Sequence, residues 1–414
     1  MALKQAILLC NYTNSSTRSH LQLSHLKVAN VIRHILGLPK LKYVEAAPWI
    51  EAFIKFFREE KSFQLHIVAL QVGMKREHES FDADGVSYHY IKSGLSLWSK
   101  VSDKLFDIQK KKGFPIYRRR FAMALKGIKP DVVLMSGAEN PDYAAAFLNI
   151  DCSHKLVIMQ TLLNDPKRIS MGVSTDYRRV LENRVLSNCR HFAVPDVNWI
   201  QYVKQVNPSA ICFPFTFPTI KPVVYEEPEK IYDFVFFAGI LGRYKGVNDL
   251  VSALGIVVKN HPAVTLNIIG GANKDYMDSL YEQVRENSLE NNITFTPSFK
   301  KREDVFYEVV KAKYAVLPGI TASLNSTVRE TMLMGMPTIV YETSDTLVIN
   351  KENHCILTAK MEDVDDLASK LVFALTHSDE MKVIGDNGKM YANSHFSQEA
   401  FNNCFSRIIN KVLE

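Results

Sequence analysis

Residues 239–246 gather three glycines, Gly239, Gly242 and Gly246, and two cations, Arg243 and Lys245, directly after an apolar run at 234–238. The run reads as a buried strand and the segment from 247 as a helix. The loop between them brings free backbone N–H groups, the positive end of a helix dipole and two cations to one place, which suits a diphosphate. A tight strand-to-helix turn with solvated cations accounts for the same residues. A second loop follows the strand expected at 314–317. It runs through Pro318 and Gly319 to Ser323, Leu324, Asn325, Ser326 and Thr327, and Glu330 falls in the first turns of the helix beyond it. Gly335 and Pro337 then end that helix before another strand. A carboxylate so placed can accept two hydrogen bonds from ribose hydroxyls. It can equally do no more than complement the helix dipole.

The first half offers other groups. A polar loop over 11–20, with Arg18 and His20, follows the strand expected at 6–10. It suits acceptor hydroxyls and a helix N-cap about equally. Glu139 follows the buried run 132–135 and is the best placed carboxylate for a reacting centre, although an N-cap role explains it too. Lys110, Lys111, Lys112, Arg118, Arg119 and Arg120 surround Phe114, Tyr117 and Phe121. That mixture suits docking on anionic lipid headgroups and, just as well, a solvated helix face. No nucleic-acid-binding module accompanies it. Asp82 and Asp84 have the spacing of a metal-binding pair, but they precede Gly85 and a strand and read as a turn. No metal site is expected.

These groups need elements to position them. A chain of 414 residues exceeds one ordinary core, so two α/β domains are expected. Hydrophobic residues make up 47% and charged residues 23%, which excludes disorder. No stretch approaches the ~20 apolar residues of a membrane span, and the run at 6–10 is too short for a signal-peptide core. The expected location is the cytoplasm, peripheral on the inner face of the cell membrane if the basic segment docks there. Six scattered cysteines read as reduced thiols. Residues 1–215 carry a net charge of +12 and residues 216–414 a net charge of −6, so an anionic partner belongs to the first half.

Strands are expected at 6–10, 66–70, 86–91, 132–135, 155–160, 191–194 and 210–213, with helices between them at 21–36, 98–111 and 176–187. Three prolines within 213–222 mark a linker. Strands then recur at 234–238, 265–269, 293–296, 314–317 and 338–341, alternating with helices at 247–259, 276–287, 302–310, 327–334, 364–377 and 379–394. This alternation predicts parallel sheets with ligands beyond the strands' carboxyl ends. The domains expected are 1–215 and 216–394, with a C-terminal helix over 395–414 that could pack back on the first.

The second half resembles the retaining nucleotide-sugar glycosyltransferases of family 4. Gly239, Lys245 and Gly246 match that family's strand–glycine–cation pattern in order and spacing, and Ile268, Ile269, Gly270 and Gly271 fit its glycine-rich turn. Leu317-Pro318-Gly319 and the run from Glu330 through Gly335 to Pro337 match its later motifs. The resemblance covers roughly 232–395 and is weak over 1–215. It implies an α/β architecture of the GT-B type, with two Rossmann-like doubly wound domains facing across a cleft.

It also implies roles. Lys245 would bind the donor diphosphate with Arg243 as a second ligand, Glu330 would hold the ribose, and the loop from Ser323 to Thr327 would meet the sugar and phosphates through backbone N–H groups. The first domain would bind the acceptor, a growing polysaccharide or lipid-linked glycan. The chemistry implied is metal-independent hexosyl transfer with retention, with a nucleoside-diphosphate sugar as co-substrate and no cofactor. Two positions depart from the pattern: Ile240 stands where the family usually has Arg, and Ala322 where it often has a first Glu. The second departure motivates an alternative, a catalytically inactive sugar-nucleotide-binding subunit of a glycan-assembly complex. A nicotinamide enzyme ranks last, because no Gly-x-Gly-x-x-Gly follows a strand with an acid ~20 residues on.

Overall fold

The computed structural model describes residues 3–35, 40–41, 43, 48–94, 113–170, 176–219, 221–223, 228–299, 301–320, 324–351 and 353–414. Lys110, Lys111, Lys112, Ser323 and Ala322, and the helix expected over 98–111, lie outside the described residues. The chain forms two compact units, Met1–Phe215 with Asn402–Glu414, and Thr216–Phe401.

The first unit holds an eight-stranded sheet of β1 (Lys4–Leu9), β2 (Phe63–Gln71), β3 (His78–Ala83), β4 (Val86–Lys92), β5 (Val132–Ser136), β6 (Lys155–Ile158), β7 (His191–Val194) and β8 (Ile211–Pro214). The order is β3-β4-β2-β1-β5-β6-β7-β8. β5 and β7 are buried along their whole length, as strands covered on both faces must be, and their sequences are accordingly near-continuous apolar runs. Only β3 runs antiparallel, paired with β4. Its alternating polar sequence suits an edge and carries no apolar run, so it escapes a search for apolar strands. Asp84 and Gly85, both left-handed with φ of 50° and 76°, close the hairpin as a primed turn. The chain leaves β1 in one direction and returns to β5 beside it to build outward in the other. The loops after β1 and β5 therefore emerge side by side, where open sheets of this kind bind ligands.

Two expectations change here. The helix expected at 21–36 begins only at Leu26, as Leu26–Ile35, and a separate short helix, Ser15–Ser19, precedes it, started by Asn14 in a capping box with Thr17. The proline-rich segment is partly regular. β8 extends to Pro214, which an edge strand tolerates because that position lacks only a ladder donor. The unit is closed by the helix Gln398–Leu413. Its Phe405 lies edge-on to Phe53 at 4.9 Å and Phe56 at 5.0 Å on the helix Pro48–Glu59, a burial worth about 1.5–3 kcal/mol for a ring of this size.

The second unit holds a six-stranded sheet of β9 (Tyr232–Phe237), β10 (Leu266–Ile269), β11 (Ile293–Thr296), β12 (Ala312–Val316), β13 (Thr338–Tyr341) and β14 (Leu357–Ala359), in the order β11-β10-β9-β12-β13-β14. Among the described residues every pairing in this sheet is parallel. β9 and β12 are the central neighbours, so the loops after them also leave side by side. The helix Val247–Val257 buries Val247, Leu250, Val251, Leu254 and Val257, one apolar stripe at helical spacing, and this fixes the exit of the β9 loop against the sheet. Among the described residues no helix is long and apolar enough to cross a membrane.

Candidate functional site

The β9 loop is held by a close backbone approach. Gly246 is left-handed, with φ 75°, and a Cβ there would overlap the carbonyl oxygen of Pro318 in the β12 loop. Ile320 N–H donates to Tyr244 O at 3.2 Å, and Leu241 N–H to Gly271 O at 2.9 Å, so the loops after β9, β10 and β12 are tied together. Between the first and third lies a pocket whose walls include Gly239, Lys245, Leu317, Asn325, Ser326 and Thr327. Gly239 has open space where a Cβ would go. No contact among the described residues demands glycine there, and what it leaves is room at the pocket.

Lys245 ends the 3-10 turn Arg243–Lys245, half-buried, with its Nζ 5.3 Å from the Tyr244 ring centroid. Arg243, in the same turn, is exposed and stands outside the pocket wall, as do Gly242 and Gly246. On the far side begins the helix Ser326–Met334. Its N-cap, Asn325, makes no side-chain capping bond, so the positive end of this helix meets the pocket. A cation, a glycine and an uncapped helix N-terminus within one pocket are suited to phosphate oxygens.

Leu324 corrects one expectation. Its N–H donates to Asp345 Oδ2 at 2.9 Å and is not available to a phosphate. Glu330 lies one turn along the same helix, at 3% exposure, and is not part of the pocket wall. Its carboxylate is ion-paired with Arg302. Burial pushes its pKa up to about 7, and the Arg302 and Arg329 guanidiniums offset that only in part.

In the first unit the polar loop after β1 contains an N-cap, since Asn14 caps Ser15–Ser19. Arg18 donates to Thr13 Oγ1 at 3.2 Å and lies over the Tyr43 ring, and His20 stacks on Phe81 at 4.4 Å. Glu139 follows β5 and folds back over Gly137, where its Oε2 would lie 2.8 Å from a Cβ. One carboxylate oxygen is 3.9 Å from Arg178 Nη2, and the other is buried without a hydrogen bond. Burial raises its pKa. Arg118 and Arg119 lie on the helix Pro115–Ala124, half-buried and exposed respectively. Arg120, expected with them on an acceptor or membrane face, is instead buried. Its Nη1 donates to Lys92 O at 2.8 Å and Gly94 O at 2.7 Å, so it clasps the end of β4.

Residues 224–391 match the family model described as Glycosyl transferases group 1. No match by sequence is found among curated proteins. Among solved structures, sucrose-phosphate synthase from Thermosynechococcus elongatus is similar over 99% of both chains, with a TM-score of 0.68 and 14% identity. Anabaena Alr3699/HepE in complex with UDP-glucose matches over 98% of this chain and 99% of that one, with a TM-score of 0.64 and 11% identity. An E. coli structure described as trehalose-6-phosphate bound with UDP-2-fluoro glucose covers 99% of both chains, with a TM-score of 0.69 and 8% identity. The chain has the GT-B fold.

Three residues near this pocket were not singled out from the sequence. Arg302 opens the helix Arg302–Val309 and pairs with Glu330. A cation at a helix N-terminus opposes the dipole, and that anomaly, beside Lys301, was its one sequence signal. Arg329 donates to Phe217 O at 3.2 Å and lies over the Phe396 ring, and burial pulls its pKa down to about 10. Asp345 holds Leu324 from a separate helix, Ser344–Asn350, a pairing across 21 residues that spacing does not reveal.

Proposed function

We propose that this chain is a glycosyltransferase that moves a hexose-type sugar from a nucleoside diphosphate to a hydroxyl of a growing polysaccharide or lipid-linked glycan. The observation that carries the reading is the pocket joining Lys245, Gly239 and the uncapped N-terminus at Ser326 and Thr327. The diphosphate sits there. Gly239 leaves room for it, Lys245 neutralises it, and the helix dipole favours its charge. Glu330 receives the ribose. As the bond from the anomeric carbon to the diphosphate breaks, negative charge grows on the leaving oxygen. Lys245, with Arg243 reaching from the rim, stabilises that charge electrostatically, with no metal ion or cofactor. The acceptor hydroxyl oxygen bonds to the anomeric carbon on the face from which the phosphate leaves, with retention, and its proton passes to the leaving phosphate oxygen.

Residues 1–215 form the acceptor domain and residues 216–394 the donor domain. Glu139 is the carboxylate on the acceptor side, where Arg18 and His20 also lie. The protein works in the cytoplasm, peripheral on the inner membrane face. The family match over 224–391 and the UDP-sugars bound to proteins of the same fold support this reading.

The test is release of nucleoside diphosphate from a panel of nucleotide sugars offered with and without glycan acceptors. We expect the wild-type chain to turn over one donor, and Lys245→Ala to lose at least about a hundredfold in rate, the scale of a lost electrostatic stabiliser. Near-normal rates in that variant would refute the site. Ala322, where a glutamate is common in the family, favours the second reading, a binding subunit without catalysis. A donor that binds tightly and is never cleaved, with any acceptor, would select it.

A further inference from the structure

We propose that a groove on the outer helices of the first unit seats an anionic phospholipid of a membrane surface, with Arg118 and Arg184 on its phosphate and the apolar walls on its acyl part. The groove lies among the helices Pro115–Ala124, Pro141–Phe147 and Asp176–Asn188. One part, of about 210 Å³, is lined by Phe114, Arg118, Leu148, Tyr177, Val180 and Arg184. It adjoins a second part of about 230 Å³ at Arg118 and Asn149, which line both, and continues past Phe121, Leu125 and Ile128. An apolar trough therefore runs to either side of a guanidinium.

The charge is placed for an anion. Arg184 is exposed, and its Nη1 would lie 3.3 Å from a Cβ on Gly113, a position held left-handed with φ 65°. Arg119 is exposed beside Arg118. Arg120 is turned inward to backbone carbonyls, while Arg178 pairs with Glu139 and Arg179 with Asp176. Glu182 is buried and bound to Leu163 N and Asn164 N. Among the described residues Asp151, at the end of the second part, is the one acid on either wall. Residues 1–215 carry +12 overall.

A soluble polyanion would be served by the cations alone. Here the cations border an apolar trough, and Val180 on its wall is 68% exposed. A lipid surface satisfies both demands at once. The inference locates the membrane contact named above and is independent of the donor chemistry.

The test uses the full chain without nucleotide, sedimented with vesicles of phosphatidylcholine or of phosphatidylcholine with phosphatidylglycerol at fixed ionic strength. We expect partitioning onto the anionic vesicles only. Arg184→Gln should weaken it roughly fivefold, the scale of one cation at an anionic surface. Arg118→Gln with Arg184→Gln should weaken it at least tenfold, and the uncharged Val180→Ser severalfold. Melting temperatures at the wild-type value establish that the variants fold. Equal partitioning onto neutral vesicles, variants that bind like wild type, or no vesicle binding at all would overturn the proposal. Release by inorganic phosphate at unchanged ionic strength would overturn it in favour of a soluble phosphate.

Discussion

Glu330 keeps its proton longer in the folded chain than in the unfolded one. Burial raises its pKa from 4.5 to about 7 despite two neighbouring guanidiniums. Between those values the folded state binds more protons, so stability falls as pH rises through the window and the loss is complete above it. The size is on the order of 2–3 kcal/mol between pH 5 and pH 8, at 1.36 kcal/mol per unit of a shift that already includes both arginines. Glu330→Gln carries no proton to lose. Denaturant titrations at pH 5 and pH 8 should therefore show the wild type losing about that much relative to the variant. Parallel pH profiles would mean that Arg302 already compensates the carboxylate in full.

Glu330 and its partner also show where sequence reasoning stops. The strand–loop–helix setting of Glu330 was legible because apolar runs and the Gly335–Pro337 stop frame it. Its pairing with Arg302 spans 28 positions and depends on how two helices turn, which local spacing does not encode. Arg120 was misplaced for a similar reason. In sequence it is one cation among six, and only the fold shows that its guanidinium turns inward to two carbonyls at the end of β4.

At the scale of elements, the pocket between the β9 and β12 loops depends on two glycines for opposite reasons. Gly246 is required by the protein: its backbone is left-handed, and a side chain would collide with Pro318. Gly246→Ala should cost at least about 2 kcal/mol and part the β9 and β12 loops. Among the described residues Gly239 has no such neighbour. Gly239→Ala should leave stability within about 0.5 kcal/mol of wild type and still weaken nucleoside diphosphate binding. Urea unfolding and calorimetry on both variants separate the cases. A Gly239→Ala chain that binds as well as wild type would place the diphosphate elsewhere.

Strand positions were legible wherever a strand is buried on both faces, as at β5 and β9, because burial forces an apolar run. β3 was not, since an edge strand on a hairpin needs only its pleat and its turn. β8 was legible over 210–213, and it runs one residue further to Pro214, which a central strand would not tolerate and an edge strand does.

At the scale of the molecule, both units place their candidate groups where the strand order reverses, after β1 and β5 in one and after β9 and β12 in the other. This repetition was partly legible, because two rounds of strand–helix alternation flank one proline-rich segment. The assignment of the helix Gln398–Leu413 was less so. Amphipathic spacing shows that it must pack, and only Phe405 among Phe53, Phe56 and Phe57 shows against what.

The most direct measurement is a calorimetric titration of nucleoside diphosphates, UDP, GDP and ADP, into the wild-type chain and into Lys245→Ala. One of them should bind the wild type, with an affinity that falls about 10- to 150-fold in the variant, the worth of a charge-assisted hydrogen bond of about 1.5–3 kcal/mol. Equal affinity for the two chains, or no binding of any diphosphate to the wild type, would contradict the placement of the diphosphate at Lys245.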